Sequence, residues 1–185
     1  MSKEKLSGYR VRVATPADAA LITHHRIAMF RDIGVLDERE VPALETATRA
    51  YLAEALPSGA YLGWMAEADD AVVAGGGVIM RQMLPRPGRP EGGEEAYVLN
   101  VYTEPAHRRQ GLARALMEEI LDWCRTRHVS RVSLHASDEG RPLYESMAFL
   151  ASNEMRRDDL GPAAGVTSMV RSPPSTALRT GLGRC

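Results

Sequence analysis

The chain has 185 residues, 44% hydrophobic and 25% charged, with a formal net charge of −1. That length supports one globular domain with its own core. The near-zero charge gives no global basic field, so neither nucleic acid nor an anionic membrane surface is an expected partner.

The N-terminal MSKEKLSGYR is polar and lacks the apolar centre of a signal peptide. No apolar run approaches the roughly 20 residues that span a bilayer. Cys124 and Cys185 show no metal-site spacing, and Cys124 falls in a helical pattern as a small apolar residue expected to be buried. A soluble, reducing, cytoplasmic setting is therefore expected, without a metal.

YRVRVAT (9–15) alternates and predicts a first strand. Thr15 is placed to cap a helix that opens at Pro16. In that helix Leu21, Ile22, His25, Met29 and Phe30 recur at helical spacing, and Gly34 stops it. A second helix is expected over 40–56. AYLGWMAEA (60–68) and AVVAGGGVIMRQM (71–83) flank Asp69–Asp70 and predict a hairpin. Its three glycines imply a close approach to the backbone.

The Pro/Gly-rich 84–95 is expected as a loop, and AYVLNVYT (96–103) as a strand. From Gln110 the set Leu112, Leu116 and Ile120 has the period of an amphipathic helix. A strand at 131–137, a short helix at 139–147 and a final strand or strand pair at 148–157 complete the pattern. The tail 158–185, rich in Pro, Gly, Ser and Thr, is expected to pack poorly. The order predicts a mixed α/β domain over 1–157.

HRRQGLARALMEEI (107–120) places a positive, glycine-bearing turn at the mouth of a helix. The first amides of a helix lack intrahelical partners, and the dipole adds about half a positive charge there. Amides from Arg109 to Arg114 can therefore face one concavity and hold phosphate. Gly111 and Ala113 keep the approach open, and Arg108 and Arg109 add forked donors. No P-loop motif and no G-x-G-x-x-G opens this helix.

RRQGLA resembles the acetyl-CoA signature Arg/Gln-x-x-Gly-x-Gly/Ala of the GNAT N-acetyltransferases, carried by Arg108, Gly111 and Ala113. LNVYTEP resembles that family's fourth strand, and RPLYESMAFL its Tyr-bearing helix. The resemblance covers about 9–157. It implies a mostly antiparallel central sheet flanked by helices, with the fourth and fifth strands splayed around acetyl-CoA. The pantetheine arm is then expected on Leu99, Val101 and Thr103. The pyrophosphate is expected on the amides of Arg109, Gln110, Gly111, Leu112, Ala113 and Arg114. Ser137 is a further family position for pantetheine, with an N-cap role for Ser137 or Asp138 as the alternative.

Acyl transfer to an amine needs a held carbonyl oxygen, a proton for the leaving thiolate and a base for the amine. The Val101 amide is the candidate for the oxygen. The resemblance places Tyr144 at the sulfur, and a phenol stays protonated at neutral pH. Glu95, Glu104, Asn100 and His135 lie on or beside the central strands as candidates on the amine side. Asn100 cannot take a proton but can orient the amine or a water. His135 is expected to be buried by alternation.

The acceptor walls are expected at 24–40 and in a loop lid at 84–95. Asp32, Asp37, Glu38 and Glu40 in the first and Glu91, Glu94 and Glu95 in the second either attract a cationic amine or are simply solvated. His24 can also reach the site, whereas His25, Met29 and Phe30 fit the helix core. The acceptor stays open among a polyamine, an amino acid, an aminoglycoside-like compound and a protein N-terminus. A homodimer is compatible with the resemblance. Two other readings stand beside the enzyme: a non-catalytic acyl-CoA sensor on the same fold, and a nucleotide-phosphate binder.

Overall fold

Arg12 shows how the first elements are tied together. In the computed structural model, which describes residues 8–129 and 131–155, strand β1 (Arg10–Val13) carries it beside Asp18 and Glu67. Asp18 accepts both terminal nitrogens of Arg12 at 2.8 Å and the Thr15 amide at 2.7 Å. The Arg12 guanidinium thereby holds the Asp18 carboxyl down to about 2. A single 3-10 turn from Pro16 to Asp18 then feeds helix α1 (Ala19–Asp32).

Helix α2 (Val41–Ser58) ends on Gly59, whose φ of 74° is the left-handed geometry of a helix stop. Strands β2 (Tyr61–Ala68) and β3 (Ala71–Met83) form the expected hairpin. Strand β4 (Gly93–Thr103), helix α3 (Leu112–Thr126), strand β5 (Arg131–Leu134) and helix α4 (Arg141–Ser146) follow. The sheet order is β1-β2-β3-β4-β5, antiparallel except for the β4–β5 pair.

Each face of the sheet has its own core. Leu116, Met117 and Ile120 of α3 are fully buried against Val78, Ala96 and Val98. On the other face Ile22 of α1 and Leu52 and Ala55 of α2 pack on Tyr61 and Met65. Cys124 lies in the first core, where burial raises its thiol pKa. The β3 glycines do admit a close approach, and protein side chains make it. A Cβ at Gly77 would overlap the Tyr61 hydroxyl, and one at Gly75 would lie 3.1 Å from His25 Nδ1.

Several boundaries differ from expectation: α1 begins at Ala19 after the 3-10 turn rather than at Pro16, β5 stops at Leu134 rather than at 137, and α4 spans Arg141–Ser146 rather than 139–147. β4 begins at Gly93, so the loop is shorter and Glu94 and Glu95 belong to the strand. Ladder pairing with Met83, Gln82 and Arg81 draws them in despite their weak strand propensity. No strand forms over 148–155, and the compact unit ends at Phe149. The rest of the expected final strand, the tail 158–185 and Cys185 lie outside the described residues. Helix α3 starts at Leu112 rather than Gln110, because Arg109 and Gly111 have left-handed backbone.

Candidate active site

β5 pairs with β4 only from Glu95–Arg131 to Val98–Leu134. β4 runs on to Thr103, so its edge from Leu99 has no β5 partner. The strands are splayed, as the resemblance implies. Just past the parting, Gly76 alone faces both Asn100 and Val101, between the pairs Gly77–Leu99 and Gly75–Tyr102. Asn100 has φ 56°. This extra residue is a bulge, which bends a strand and redirects its side chains.

Beyond β4 the chain makes a 3-10 turn from Pro105 to His107. Arg109 (φ 63°) and Gly111 (φ 83°) then turn the backbone left-handed before α3. The first helical bond runs from the Ala115 amide to the Gly111 carbonyl at 3.0 Å. Among the described residues, the amides of Arg109 through Arg114 have no hydrogen-bond acceptor. Left-handed residues alternating with right-handed ones make a concave nest of N–H groups, and the dipole of the following helix strengthens it.

A cleft of about 760 Å³ opens over this nest. Val101 and Thr103 of β4, Arg109, Gly111, Leu112, Ala113 and Arg114 at the start of α3, and Tyr144 of α4 all line it. Met29 and Asp32 of α1 close one side. Tyr144 is half-buried, with its ring edge-on to Phe149 at 5.9 Å. Burial raises its pKa, so the phenol is firmly protonated at neutral pH. Its hydroxyl has no hydrogen-bond partner among the described residues. Ser137 also lines the cleft, and its Oγ accepts the Gly140 amide at 3.1 Å, capping the turn into α4.

Several expected residues have protein partners for their side chains, Arg108 and Arg114 among them while still lining the cleft. Arg108 turns its side chain to the Thr103 carbonyl (3.0 Å) and to Asp32. Arg114 bonds Ser146 of α4 at 2.6 Å. The Gln110 side chain accepts from Tyr9 at 2.7 Å and does not line the cleft. In this nest, then, backbone amides are the open donors, while two of the three arginines have protein partners. Leu99 packs its side chain against the core beneath α1 and α2.

On the amine side, Asn100 is buried and its Oδ1 accepts from Arg26 Nη1 at 2.6 Å, so it is not free to orient a substrate. Glu104 Oε1 lies 3.1 Å from His24 Nε2 and 3.6 Å from His25 Nε2, behind Tyr102. Glu95 is buried and paired with Arg131 at 3.2 Å. His135 is exposed rather than buried, because β5 ends at Leu134; its Nδ1 is bonded to the Tyr97 hydroxyl. The expected acidic walls are largely neutralised: Asp37 pairs with Arg39 and Glu38 with Arg31, both at 2.6 Å. Sequence reasoning passed over Arg26, Tyr61, Arg81 and Tyr97. Their common face follows only from strand register and the docking of α1, which local patterns do not contain.

The model of the acetyltransferase (GNAT) family matches residues 28–149, which include the bulge, the nest and Tyr144. The chain belongs to the GNAT acetyltransferase family. Among solved structures it is similar to a GCN5-related N-acetyltransferase from Ralstonia eutropha JMP134. That likeness has 33% identity and a TM-score of 0.77, and covers 83% of this chain and 100% of the other. A predicted acetyltransferase with acetyl-CoA from Clostridium acetobutylicum shares the fold, with TM-score 0.74 and 23% identity over 82% and 96% of the two chains. A curated relative, glucosamine 6-phosphate N-acetyltransferase of Trypanosoma brucei brucei, is 27% identical over 89 residues. That match spans 48% of this GNAT chain and 58% of the relative.

Proposed function

We propose that the protein is an N-acetyltransferase that moves an acetyl group from acetyl-CoA directly to a primary amine. The observation that carries this reading is the row of unpartnered amides at Arg109–Arg114 opening into the same cleft as the Tyr144 hydroxyl. A diphosphate suits the nest, being anionic and rich in acceptors. The free β4 edge beyond Val98 suits an amide-bearing arm, which pairs with backbone as an added strand does. Acetyl-CoA supplies the activated thioester.

The chain's own groups do the rest. The Val101 amide holds the thioester oxygen, a type of donor worth on the order of 3 kcal/mol where measured. The amine nitrogen bonds to the carbonyl carbon, the carbon–sulfur bond breaks, and Tyr144 gives its proton to the departing sulfur. Glu104 receives the amine's proton through water; Tyr102, which lines the cleft, donates to it at 3.5 Å. The curated relative's name pairs an amine with a phosphate, and an acceptor of that chemistry is compatible with this site.

The test is thiol release from acetyl-CoA across a panel of amines, with coenzyme A binding measured in parallel. Amine-dependent thiol release supports the enzyme. Tight coenzyme A binding without turnover on any amine supports the sensor instead.

A further inference from the structure

On the sheet face that α1 and α2 cover, Tyr61, Ile79 and Tyr97 sit side by side in register. Arg81, two residues along β3 from Ile79, lays its guanidinium 3.7 Å from the centre of the Tyr97 ring. Arg26 reaches the same face from α1. It donates to Asn100 at 2.6 Å, lies 4.6 Å over the Phe30 ring, and is near enough to Tyr97, Tyr61 and Tyr51 for each phenol to act on its charge. The Tyr97 hydroxyl is bonded to His135.

Neither arginine has a carboxylate within ion-pairing distance among the described residues. The acids beside Arg81 in the ladder bond elsewhere: Glu94 accepts from Gln82, and Glu95 pairs with Arg131. Glu95 stands opposite Arg81 in the ladder yet pairs with the other strand. Arg26, half-buried with an amide oxygen and aromatic rings as its partners, retains most of its desolvation cost, because these replace water poorly and supply no counter-charge, while the acid opposite Arg81 is bound to Arg131. Such a charge is compensated when an anion arrives.

We infer that this face receives an acceptor bearing an anionic group, carboxylate or phosphate, in addition to its amine, with Arg26 and Arg81 fixing the anion. The inference rests on the N-acetyltransferase reading. Tyr97 lies four residues before Val101 on the same strand, and the bulge at Asn100 separates them. An anion held beside Tyr97 therefore leaves the amine to reach along β4 towards the parted strands. Forked guanidinium donors suit both oxyanions, so geometry alone names the shared chemistry.

The test titrates matched amines calorimetrically into the protein saturated with coenzyme A, at fixed ionic strength. The pairs are O-phosphoethanolamine with ethanolamine, and phenylalanine with phenylalaninamide. The anionic member of at least one pair is expected to bind about tenfold tighter or better, and the pair that shows it identifies the anion. Arg81→Met is expected to bring that preference within about threefold while leaving coenzyme A and neutral-amine affinity unchanged. Arg26→Met gives the same result if it folds, and Arg81→Met suffices if it does not. No preference in either pair, or a preference that survives Arg81→Met, overturns the inference. Failure of coenzyme A to bind sinks the acetyltransferase reading instead; the anion preference is then read on the free protein with the same two outcomes.

Discussion

Asn100 Oδ1 accepts a 2.6 Å hydrogen bond from Arg26 Nη1, and this contact joins the bulge in β4 to helix α1. The bulge places Asn100 at φ 56°, where most side chains are strained. Asparagine tolerates that backbone, and its amide also donates to the Tyr61 hydroxyl at 3.4 Å. The residue that bends the strand at the parting of β4 and β5 is thus braced by the elements on one face.

Replacing Asn100 separates these two contributions. Asn100→Gly loses the Arg26 bond but keeps the left-handed backbone at no steric cost. Asn100→Ala loses both, and is expected to be less stable than Asn100→Gly by about 1–2 kcal/mol. Urea unfolding of the two variants measures the difference; equal stability would show that the bulge is not strained at this position.

Tyr144→Phe keeps the ring contact with Phe149 and removes only the hydroxyl. Turnover is expected to fall by roughly 10²–10⁴-fold, the range of a positioned general acid. Acetyl-CoA affinity is expected to stay within about twofold, since the phenol acts on the leaving sulfur rather than on the diphosphate. Unchanged kcat in the variant would remove Tyr144 from the proton transfer.

His25 gives the protein an acid sensitivity of its own. Its ring is buried, neither nitrogen has a hydrogen-bond partner among the described residues, and burial lowers its pKa from 6.5 to about 4 despite the opposing pull of Glu104. The unfolded chain takes up this proton near pH 6.5 and the folded chain only near 4. The stability His25 contributes is thus complete above 6.5 and lost as pH falls towards 4, by about 3 kcal/mol in all. His25→Leu is expected to flatten the stability profile between those two values. A variant profile parallel to the wild type would place the sensitivity elsewhere. Asp18, held low by Arg12, acts in a separate window, losing its contribution as pH falls from 3.8 to about 2.

Gly111 has φ 83° at the mouth of α3. Gly111→Ala is expected to cost about 1–2 kcal/mol in local backbone energy or to shift the turn. Either way, coenzyme A affinity should fall while the far-ultraviolet circular dichroism spectrum is retained. Undiminished affinity would mean that the turn's conformation is irrelevant to binding.

Local signals in the chain foretell much of this architecture. Thr15–Pro16 marks the 3-10 turn that leads into α1, Gly34 lies just past that helix's end, and the Leu112–Leu116–Ile120 period marks the buried stripe of α3. The nest is legible for the same reason, because Arg108–Gly111 and the helix after it are consecutive. What depends on pairing between distant segments is not. Nothing local tells that Glu94 and Glu95 join β4, that Asn100 sits in a bulge opposite Gly76, or that Arg108 and Arg114 turn to Asp32 and Ser146. Arg26 and Arg81, 55 positions apart, meet Tyr97 only once register and helix docking are set.

The hold of the α3 entrance on a diphosphate is tested most directly by following the backbone ¹⁵N–¹H resonances of Arg109 to Arg114 during titration. With acetyl-CoA these amides should move downfield together and saturate, whereas S-acetylpantetheine, which lacks the diphosphate, should leave them in place. Saturable acetyl-CoA binding with those resonances unmoved would contradict a diphosphate seated on the nest.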